Sequence, residues 1–238
     1  FNLKKASGNT TGLQNTVPVT EYSSLKTYYQ EIFSRIDYFH FNSSVSKDVY
    51  ENNLGFKVSG RVLTITDSLI KEHPLKNRKI NTNKIKVAYI GPNLDYKGFG
   101  DYVKLSNEMD QRYFEFHTFG YVPNKKLENI VQHGRYKTSQ LRDVYSDIDV
   151  LIVPSKWKET FGLVVLEALY NSTSVFVSQN VGAKDLLDNW YVYNSLSDLK
   201  LKLSEFKRVS FSSMDFKTID MHVNELLDLY RTLSGSEN

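Results

Sequence analysis

Cysteine is absent from the sequence, which excludes a disulfide-stapled scaffold and a thiolate metal site. A long hydrophobic run is also lacking, because the longest apolar stretch, Gly162 to Leu166, is far shorter than the roughly 20 residues of a membrane-spanning helix. Charge of one sign is not in excess, since 30 basic and 27 acidic residues give a net charge of +3. A chain so evenly balanced is not expected to bind nucleic acid.

What the sequence does contain is typical of a globular protein. Apolar residues make up 40% of the sequence and charged residues 24%, as in ordinary globular proteins. The length of 238 residues is enough for one domain and part of a second. The lack of cysteine and of an opening signal peptide predicts a cytoplasmic protein. A composition rich in Lys, Asn, Tyr and Phe favours a bacterial source.

Residues 1–83 predict only part of a domain. After a polar tail at 1–20, helical and strand patterns alternate, but there are only two of each. Because so small a fragment cannot easily bury its own core, we expect the end of an α/β domain, followed by a linker at 71–83. The predicted elements are a helix over Glu21–Arg35, a strand over Tyr38–Phe41, a helix over 45–53 and a strand over Val62–Ile65.

Residues 84–238 predict a complete α/β domain. Buried strands alternate with helices through short connections, which is the pattern of a Rossmann-like, doubly wound parallel sheet. In such sheets the ligand binds beyond the carboxyl ends of the strands. The predicted strands are 86–90, 114–119, 130–133, 149–153 and 174–178, and the predicted helices are 98–109, 139–146, 162–171, one that begins near Gly182, and 217–233.

The stretch 153–169 carries the most chemical information. A buried strand ends at Pro154 and a helix begins near Gly162, so Glu159 is expected in the loop where such sheets bind ligands. The glycine lets a ligand approach the first N–H groups of the helix, which suit a phosphate together with the helix dipole. Glu167 lies on an otherwise apolar helix, where a carboxylate either contacts a ligand or occupies a solvated stripe.

These residues resemble a known family. The pattern E-x-F-G-L-x-x-x-E-A-L, with Glu159 and Glu167, is similar to the E-x7-E signature of family 4 retaining glycosyltransferases, which have the GT-B fold. The flanking strands and the glycine turn at His133–Tyr136 agree with it. The resemblance covers roughly residues 84–190. It implies a nucleotide-sugar-binding donor domain at 84–238, preceded at 1–83 by only the end of the acceptor-side domain.

The resemblance implies a role for each matching residue. Lys97 and Glu159 are the implied catalytic residues, because the lysine neutralises the diphosphate as the glycosidic bond breaks and the glutamate binds hydroxyls of the donor sugar. Glu167 is implied to bind the ribose. The other implied contacts to the nucleotide-sugar are Gly91, Gly134, Arg135, Tyr136, Phe161, Gly162 and Leu163. No metal or other cofactor is expected, since the nucleoside-diphosphate-sugar is the substrate.

One position departs from the family pattern. The family usually has an arginine immediately after the first glycine of the phosphate loop, whereas this sequence has Pro92 after Gly91. One of two expected phosphate cations is therefore missing, unless Arg135 or Lys158 replaces it. Loss of one such group lowers a rate by about 10² to 10³. The departure keeps a non-catalytic hypothesis open.

Two functions follow from the resemblance. The first is sugar transfer from a nucleoside-diphosphate-sugar to a glycan, lipid or protein acceptor, in polysaccharide or glycoprotein biosynthesis. Its partners are the donor and the missing N-terminal domain, and a position at the inner face of the membrane stays open. The alternative is a non-catalytic glycosyltransferase-like subunit that recognises a glycosylated protein or a partner enzyme.

Overall fold

The computed structural model describes residues 19–71, 83–208 and 215–235. The polar tail and the linker predicted at 1–20 and 71–83 lie almost entirely outside these residues. The described part of the chain forms two parallel sheets, one of two strands and one of six. No helix within that part is long and apolar enough to cross a membrane.

The first lobe is small and is built on the two-stranded sheet. Its elements are α1 (Val19–Ser34), β1 (Phe39–Phe41), α2 (Ser44–Leu54) and β2 (Gly60–Val62). Ser43 caps α2 by accepting a hydrogen bond from the backbone N–H of Ser46, the contact that a serine at a helix N-cap makes. A small core between the helices and the sheet consists of Phe39, Phe41, Leu54 and Val58.

The strand β2 differs from its predicted position. The apolar run suggested Val62–Ile65, whereas the strand covers Gly60–Val62. The partner strand β1 ends opposite Val62, so the residues beyond it have no strand residue to pair with. Gly60 lies in the strand and pairs with Phe39. A Cβ at this position would lie 2.6 Å from the Phe39 carbonyl oxygen. The glycine is therefore required by a close approach and does not end the strand.

The second lobe is built on the six-stranded sheet. Its strands are β3 (Ile85–Ile90), β4 (Phe114–Phe119), β5 (Ile130–Gln132), β6 (Val150–Val153), β7 (Ser174–Ser178) and β8 (Val192–Tyr193). The helices are α3 (Phe99–Glu108), α4 (Leu141–Ser146), α5 (Leu163–Tyr170) and α6 (Leu196–Glu205), with α7 (Ile219–Ser234) after them. Short 3₁₀ helices lie at Asp95–Lys97, Thr138–Gln140, Gly182–Leu186 and Asn189–Tyr191.

All strand pairs in this sheet are parallel, in the order β5-β4-β3-β6-β7-β8. Buried side chains form two clusters, one on each face of the sheet. Alternate residues of a strand belong to different clusters, as Val150 and Leu151 do. Burial on both faces is typical of parallel sheets that helices cover on both sides. The predicted α/β class, a doubly wound Rossmann-like parallel sheet accompanied by a smaller lobe, is confirmed.

Two elements near the end of the second lobe were not predicted, and a third is shorter than expected. The strand β8 has only two residues. The helix α6 follows the N-cap Ser195 and buries Leu199 and Leu203, a spacing that would have indicated a helix. The helix expected near Gly182 is only the 3₁₀ turn Gly182–Leu186, because the chain is already extended at the following residue.

The chain reverses its course across the sheet between β3 and β6. From β3 it proceeds outwards through β4 and β5, then returns to β6 beside β3 and continues the other way to β8. A crevice forms at such a switch point, outside the carboxyl ends of the two strands. The segments that follow β3 and β6 carry Lys97 and Glu159. The topology therefore brings both predicted catalytic residues to one place.

The last helix, α7, returns from the second lobe to the first. The Lys217 Nζ donates to the Thr64 carbonyl oxygen at 3.0 Å, and the Thr66 hydroxyl donates to the Lys217 carbonyl oxygen at 2.6 Å. The rings of His40 and His222 lie 6.3 Å apart. The final helix and the segment before it thus dock on the first lobe.

Candidate functional site

Lys97 and Glu159 form an ion pair at the switch point. The Lys97 Nζ lies 2.9 Å from Glu159 Oε1, and the two side chains are 31% and 12% exposed. Lys97 ends the 3₁₀ helix Asp95–Lys97, and Glu159 lies in the loop between β6 and α5. The crevice is therefore bordered by one cation and one carboxylate that hold each other in position.

The two segments that carry this pair are in backbone contact. Gly98 has a φ of +77°, a left-handed conformation that favours glycine. A Cβ at Gly98 would lie 1.8 Å from the Pro154 carbonyl oxygen. Two N–H groups of the loop after β6 donate to the Tyr96 carbonyl oxygen, both at 3.0 Å. The distance between the ammonium and the carboxylate is therefore set largely by the backbone.

A second backbone contact holds the Glu159 loop against the turn after β7. The Glu159 N–H donates to the Asn180 carbonyl oxygen at 2.8 Å, and the Glu159 carbonyl oxygen accepts from the Gly182 N–H at 3.1 Å. The Phe161 carbonyl oxygen accepts from the Ala183 N–H at 2.7 Å. Residues 159–161 thus lie beside this turn as a short parallel extension of the sheet.

The helix α5 begins immediately after this loop. Gly162 has a φ of +102°, and a Cβ there would lie 3.4 Å from Glu159 Oε2 and 3.0 Å from Val181 Cγ1. Glycine therefore permits the turn and leaves space beside the carboxylate. Phe161 is buried, whereas Leu163, the first residue of α5, is exposed. The N–H groups of a first helical turn carry partial positive charge, so this end of α5 is suited to an anion.

Glu167 is half-buried one helical turn further along α5. The hydroxyl of the buried Tyr145 donates to Glu167 Oε2 at 3.0 Å. Burial raises the pKa of the Glu167 carboxyl, and the hydrogen bond from Tyr145 partly opposes that rise. The side chain is therefore not in a solvated stripe. Further hydrogen-bond donors, such as ligand hydroxyls, would stabilise its ionised form.

The glycine turn at His133–Tyr136, which is implied to contact the nucleotide-sugar, lies close to Glu167. The Gly120 N–H donates to the carbonyl oxygen of Gly134, which has a φ of +78°. Tyr136 is half-buried, and its pKa is raised first by burial and then by the negative charge of Glu167. Arg135 is exposed between them. A planar ring and a carboxylate are thus brought together near the carboxyl end of β4.

The Gly91 turn is tied to the strand before it. Gly91 has a φ of +154°, and its N–H donates to the Phe119 carbonyl oxygen at 3.0 Å. The Tyr89 hydroxyl donates to the Pro92 carbonyl oxygen at 2.6 Å. Burial is the main cause that raises the pKa of Tyr89. The turn is therefore well anchored, although Pro92 provides no cation.

The structure brings the predicted residues to one edge of the sheet, and it also shows partners that the sequence analysis missed. Tyr145, which holds Glu167, and Tyr89, which holds the Gly91 turn, both occupy positions that read as core. Tyr145 lies 22 positions from the carboxylate it contacts. No local pattern indicates such a pair, because it depends on how α4 packs against α5.

A known family matches this part of the chain. The profile of the family described as "Glycosyl transferases group 1" matches residues 120–196, which include Glu159, Gly162 and Glu167. A curated relative is an uncharacterized 41.2 kDa protein in the cps region of Klebsiella pneumoniae. It is 22% identical over 151 residues, which are 61% of this chain and 42% of that protein.

Solved structures share the fold. Sucrose-phosphate synthase from Thermosynechococcus elongatus aligns with a TM-score of 0.67 at 16% identity, over 90% of this chain and 63% of that one. Anabaena HepE, solved in complex with UDP and glucose, aligns with a TM-score of 0.62 at 13% identity, over 92% of this chain and 68% of that one. The chain spans less than two thirds of the Klebsiella protein and of the synthase. Residues 120–196 are thus similar to glycosyl transferases group 1, and the fold is that of GT-B proteins.

Proposed function

We propose that the protein is the donor-binding part of a retaining glycosyltransferase, which moves a sugar from a nucleoside diphosphate to an acceptor. The ion pair between Lys97 and Glu159 carries this proposal. It sets a cation for a diphosphate beside a carboxylate for sugar hydroxyls, at the point where sheets of this topology bind ligands.

The diphosphate is proposed to lie between Lys97 and the first turn of α5. When the bond from the sugar to the diphosphate breaks, the electron pair stays on the diphosphate oxygen, so negative charge grows there. A fixed cation and a helix dipole stabilise that charge most in the transition state. The contacts at Gly98 and Gly162 hold both groups in place before the donor arrives.

Glu159 is proposed to accept hydrogen bonds from hydroxyls of the donor sugar. Its Oε1 contacts Lys97, and its Oε2 lies beside the side-chain-free position of Gly162. A carboxylate there also stabilises the positive charge that a sugar ring develops as its leaving group departs. Retention of configuration is supported by the E-x7-E resemblance.

Glu167 and Tyr136 are proposed to bind the nucleoside. Tyr145 engages one oxygen of Glu167, which leaves acceptor capacity for the ribose hydroxyls. The half-buried ring of Tyr136 and the Gly134 turn would border the base. A solved structure of similar fold holds UDP and glucose, which supports a nucleotide-sugar as the ligand.

For the acceptor, only the chemical class of the molecule is proposed. A glycan, a lipid or a protein would receive the sugar. The first lobe supplies two strands and two helices, which leaves little surface for an acceptor site of its own.

A second candidate function is a non-catalytic subunit that recognises a glycosylated protein or a partner enzyme, and Pro92 favours it. Arg135 and Lys158 are both exposed, and neither forms an ion pair within the described residues, so each is available to replace the missing arginine. The double replacement of Arg135 and Lys158 by alanine tests whether either cation binds the diphosphate, and the affinity for the nucleoside diphosphate is measured. If neither cation serves the diphosphate, its affinity will not change.

The proposed function is tested by calorimetric titration with UDP-, GDP-, ADP- and dTDP-sugars. We expect saturable binding of one nucleotide type, unchanged by EDTA, since no divalent metal is predicted to take part. Binding that disappears with EDTA would contradict metal independence. If none of the donors binds, while a glycosylated protein or a partner enzyme does, the recognition function is correct instead.

A further inference from the structure

The loop that carries Glu159 is also held by the first lobe. In extended backbone, successive residues point their backbone groups to opposite sides. The carbonyl groups of Glu159 and Phe161 accept from the turn after β7. The Thr160 carbonyl oxygen instead accepts from the Ser43 hydroxyl at 2.5 Å and from the Ser46 hydroxyl at 3.1 Å. Both serines belong to the amino end of α2, so the loop is fixed from two sides by different lobes.

Gly182 makes this approach possible. A Cβ at that position would lie 2.2 Å from the Thr160 carbonyl oxygen and 2.5 Å from Ser43 Oγ. These distances are shorter than any van der Waals contact, so the position where the lobes meet accepts no side chain. Ser43 is fully buried there.

Asp185, in the same 3₁₀ turn as Gly182, binds the first residue of α2. Its Oδ2 accepts from the Ser44 N–H at 2.6 Å, and its Oδ1 accepts from the Ser44 hydroxyl at 2.6 Å. That N–H has no partner inside the helix, so a carboxylate from the other lobe satisfies it. The negative charge also interacts favourably with the amino end of the helix dipole.

We propose that Ser43, Ser44 and Asp185 form an interlobe latch that positions Glu159 for the donor sugar. This inference rests on the proposed function and adds a part for the first lobe. Ser43 is a positioning residue, because it acts on the Thr160 carbonyl next to Glu159 and not on the sugar. Without the latch, residues 159–161 keep their backbone contacts to the turn after β7 but lose the contact to α2, and the carboxylate is less well oriented. The nucleotide, held by α5 and Glu167, is unaffected.

The latch is tested by Ser43→Gly in the full chain. Glycine removes the hydroxyl but is tolerated at a helix N-cap, so α2 is retained. The dissociation constants of the nucleoside diphosphate and of its sugar conjugate are measured by calorimetry. We expect affinity for the conjugate to fall about three- to tenfold, as for one lost hydrogen bond, and affinity for the diphosphate to stay within about twofold. Amide hydrogen exchange at 159–161 is expected to become faster.

Ser195→Ala is the matched control. Ser195 caps α6 by accepting from the Asp198 N–H at 3.1 Å, the same distance at which Ser43 accepts from the Ser46 N–H. The Ser195→Ala substitution removes a serine cap outside the latch. Neither the affinity for the two ligands nor the amide exchange at 159–161 should change. Asp185→Asn provides a second variant of the latch, and we expect it to act like Ser43→Gly.

Three outcomes separate the latch from the proposed function. If both latch variants bind the nucleotide-sugar as the wild type does, the latch is wrong. An effect on the conjugate and on exchange in both variants, absent in Ser195→Ala, supports it. If the wild type binds no nucleotide-sugar at all, the proposed function fails, and exchange at 159–161 then decides whether the contact between the lobes holds the loop.

Discussion

At the scale of single residues, Glu167 combines burial with one hydrogen bond. Burial disfavours its ionised form, and the Tyr145 hydroxyl favours it. If the ionised carboxylate binds ribose hydroxyls, Tyr145 contributes to nucleotide affinity without touching the nucleotide. The contact between Tyr145 and Glu167 should therefore affect both nucleotide affinity and the pH dependence of stability.

Tyr145→Phe should weaken nucleoside diphosphate binding about three- to tenfold, because Glu167 loses the donor that orients it. Tyr102→Phe is the matched control, since Tyr102 is as deeply buried and donates to backbone carbonyl groups of β3 and β4. It should lower stability and leave affinity unchanged. Equal nucleotide affinity in Tyr145→Phe and the wild type, by calorimetry, would show that Tyr145 does not prepare Glu167.

Glu167→Gln should stabilise the ligand-free protein more at pH 7 than at pH 4. Because the folded-state pKa of Glu167 is raised, the folded protein binds the proton more tightly than the unfolded chain does. The wild type therefore loses stability as pH rises through that pKa, and glutamine does not. Urea unfolding at both pH values measures the difference. A gain that is equal at both values, or larger at pH 4, would contradict the sign.

At the scale of secondary structure elements, the sequence predicted best the elements with regular burial. The strands β3, β6 and β7 each contain an apolar run of at least three residues, and the helices α3 and α5 have clear starts at glycine. The strand β8 has two residues, too few for any period. The strand β2 was misplaced because pairing with β1, and not hydrophobicity, determines where it ends. Short edge elements depend on partners that sequence alone does not reveal.

Gly98→Ala should lower the free energy of unfolding by about 2–4 kcal/mol, because Gly98 combines a φ of +77° with a Cβ position 1.8 Å from the Pro154 carbonyl oxygen. Gly100→Ala, two residues further into α3, is the control. A Cβ there meets only Asp95 Oδ1 at 3.6 Å, so alanine should stabilise by about 0.5–1 kcal/mol. Denaturant melts of both variants test the contact, and similar values for the two would argue against it.

At the scale of the whole molecule, the buried carboxylate of Asp149 contacts two segments of the second lobe that are far apart in sequence. Asp149 Oδ2 accepts from the Lys86 N–H at 2.8 Å, and Asp149 Oδ1 accepts from Arg208 Nε at 2.7 Å. The Arg208 Nη2 also donates to the Lys84 carbonyl oxygen at 2.5 Å. The start of β3 and the segment after α6 are thus joined.

Asp149→Ala should lower the free energy of unfolding by about 3 kcal/mol, since it leaves a backbone N–H and part of a guanidinium without their buried partner. Asp147→Ala is the control, because Asp147 is 58% exposed and pairs with Lys86 Nζ. Exposed pairs contribute less than about 1 kcal/mol. Thermal or urea melts that give the same loss for both would refute the role of Asp149.

The candidate site was predictable to a similar extent as the fold. The order of Lys97, Glu159 and Glu167 predicted a donor site through the family resemblance, whose motif holds the two glutamates only eight positions apart. The contact from Ser43 to the Thr160 carbonyl spans 117 positions, and only the assembled lobes show it. The side chains proposed to bind the donor could therefore be predicted from the sequence, whereas the groups that orient these side chains could not.

The central claim is that Glu159 binds the sugar and Glu167 the nucleoside. It is tested most directly by calorimetric dissociation constants of one nucleoside diphosphate and its sugar conjugate for wild type, Glu159→Ala and Glu167→Ala. We predict that Glu167→Ala weakens both ligands about ten- to hundredfold, whereas Glu159→Ala weakens only the conjugate by a similar factor. Wild-type binding of both ligands by both variants would contradict the assignment of this site.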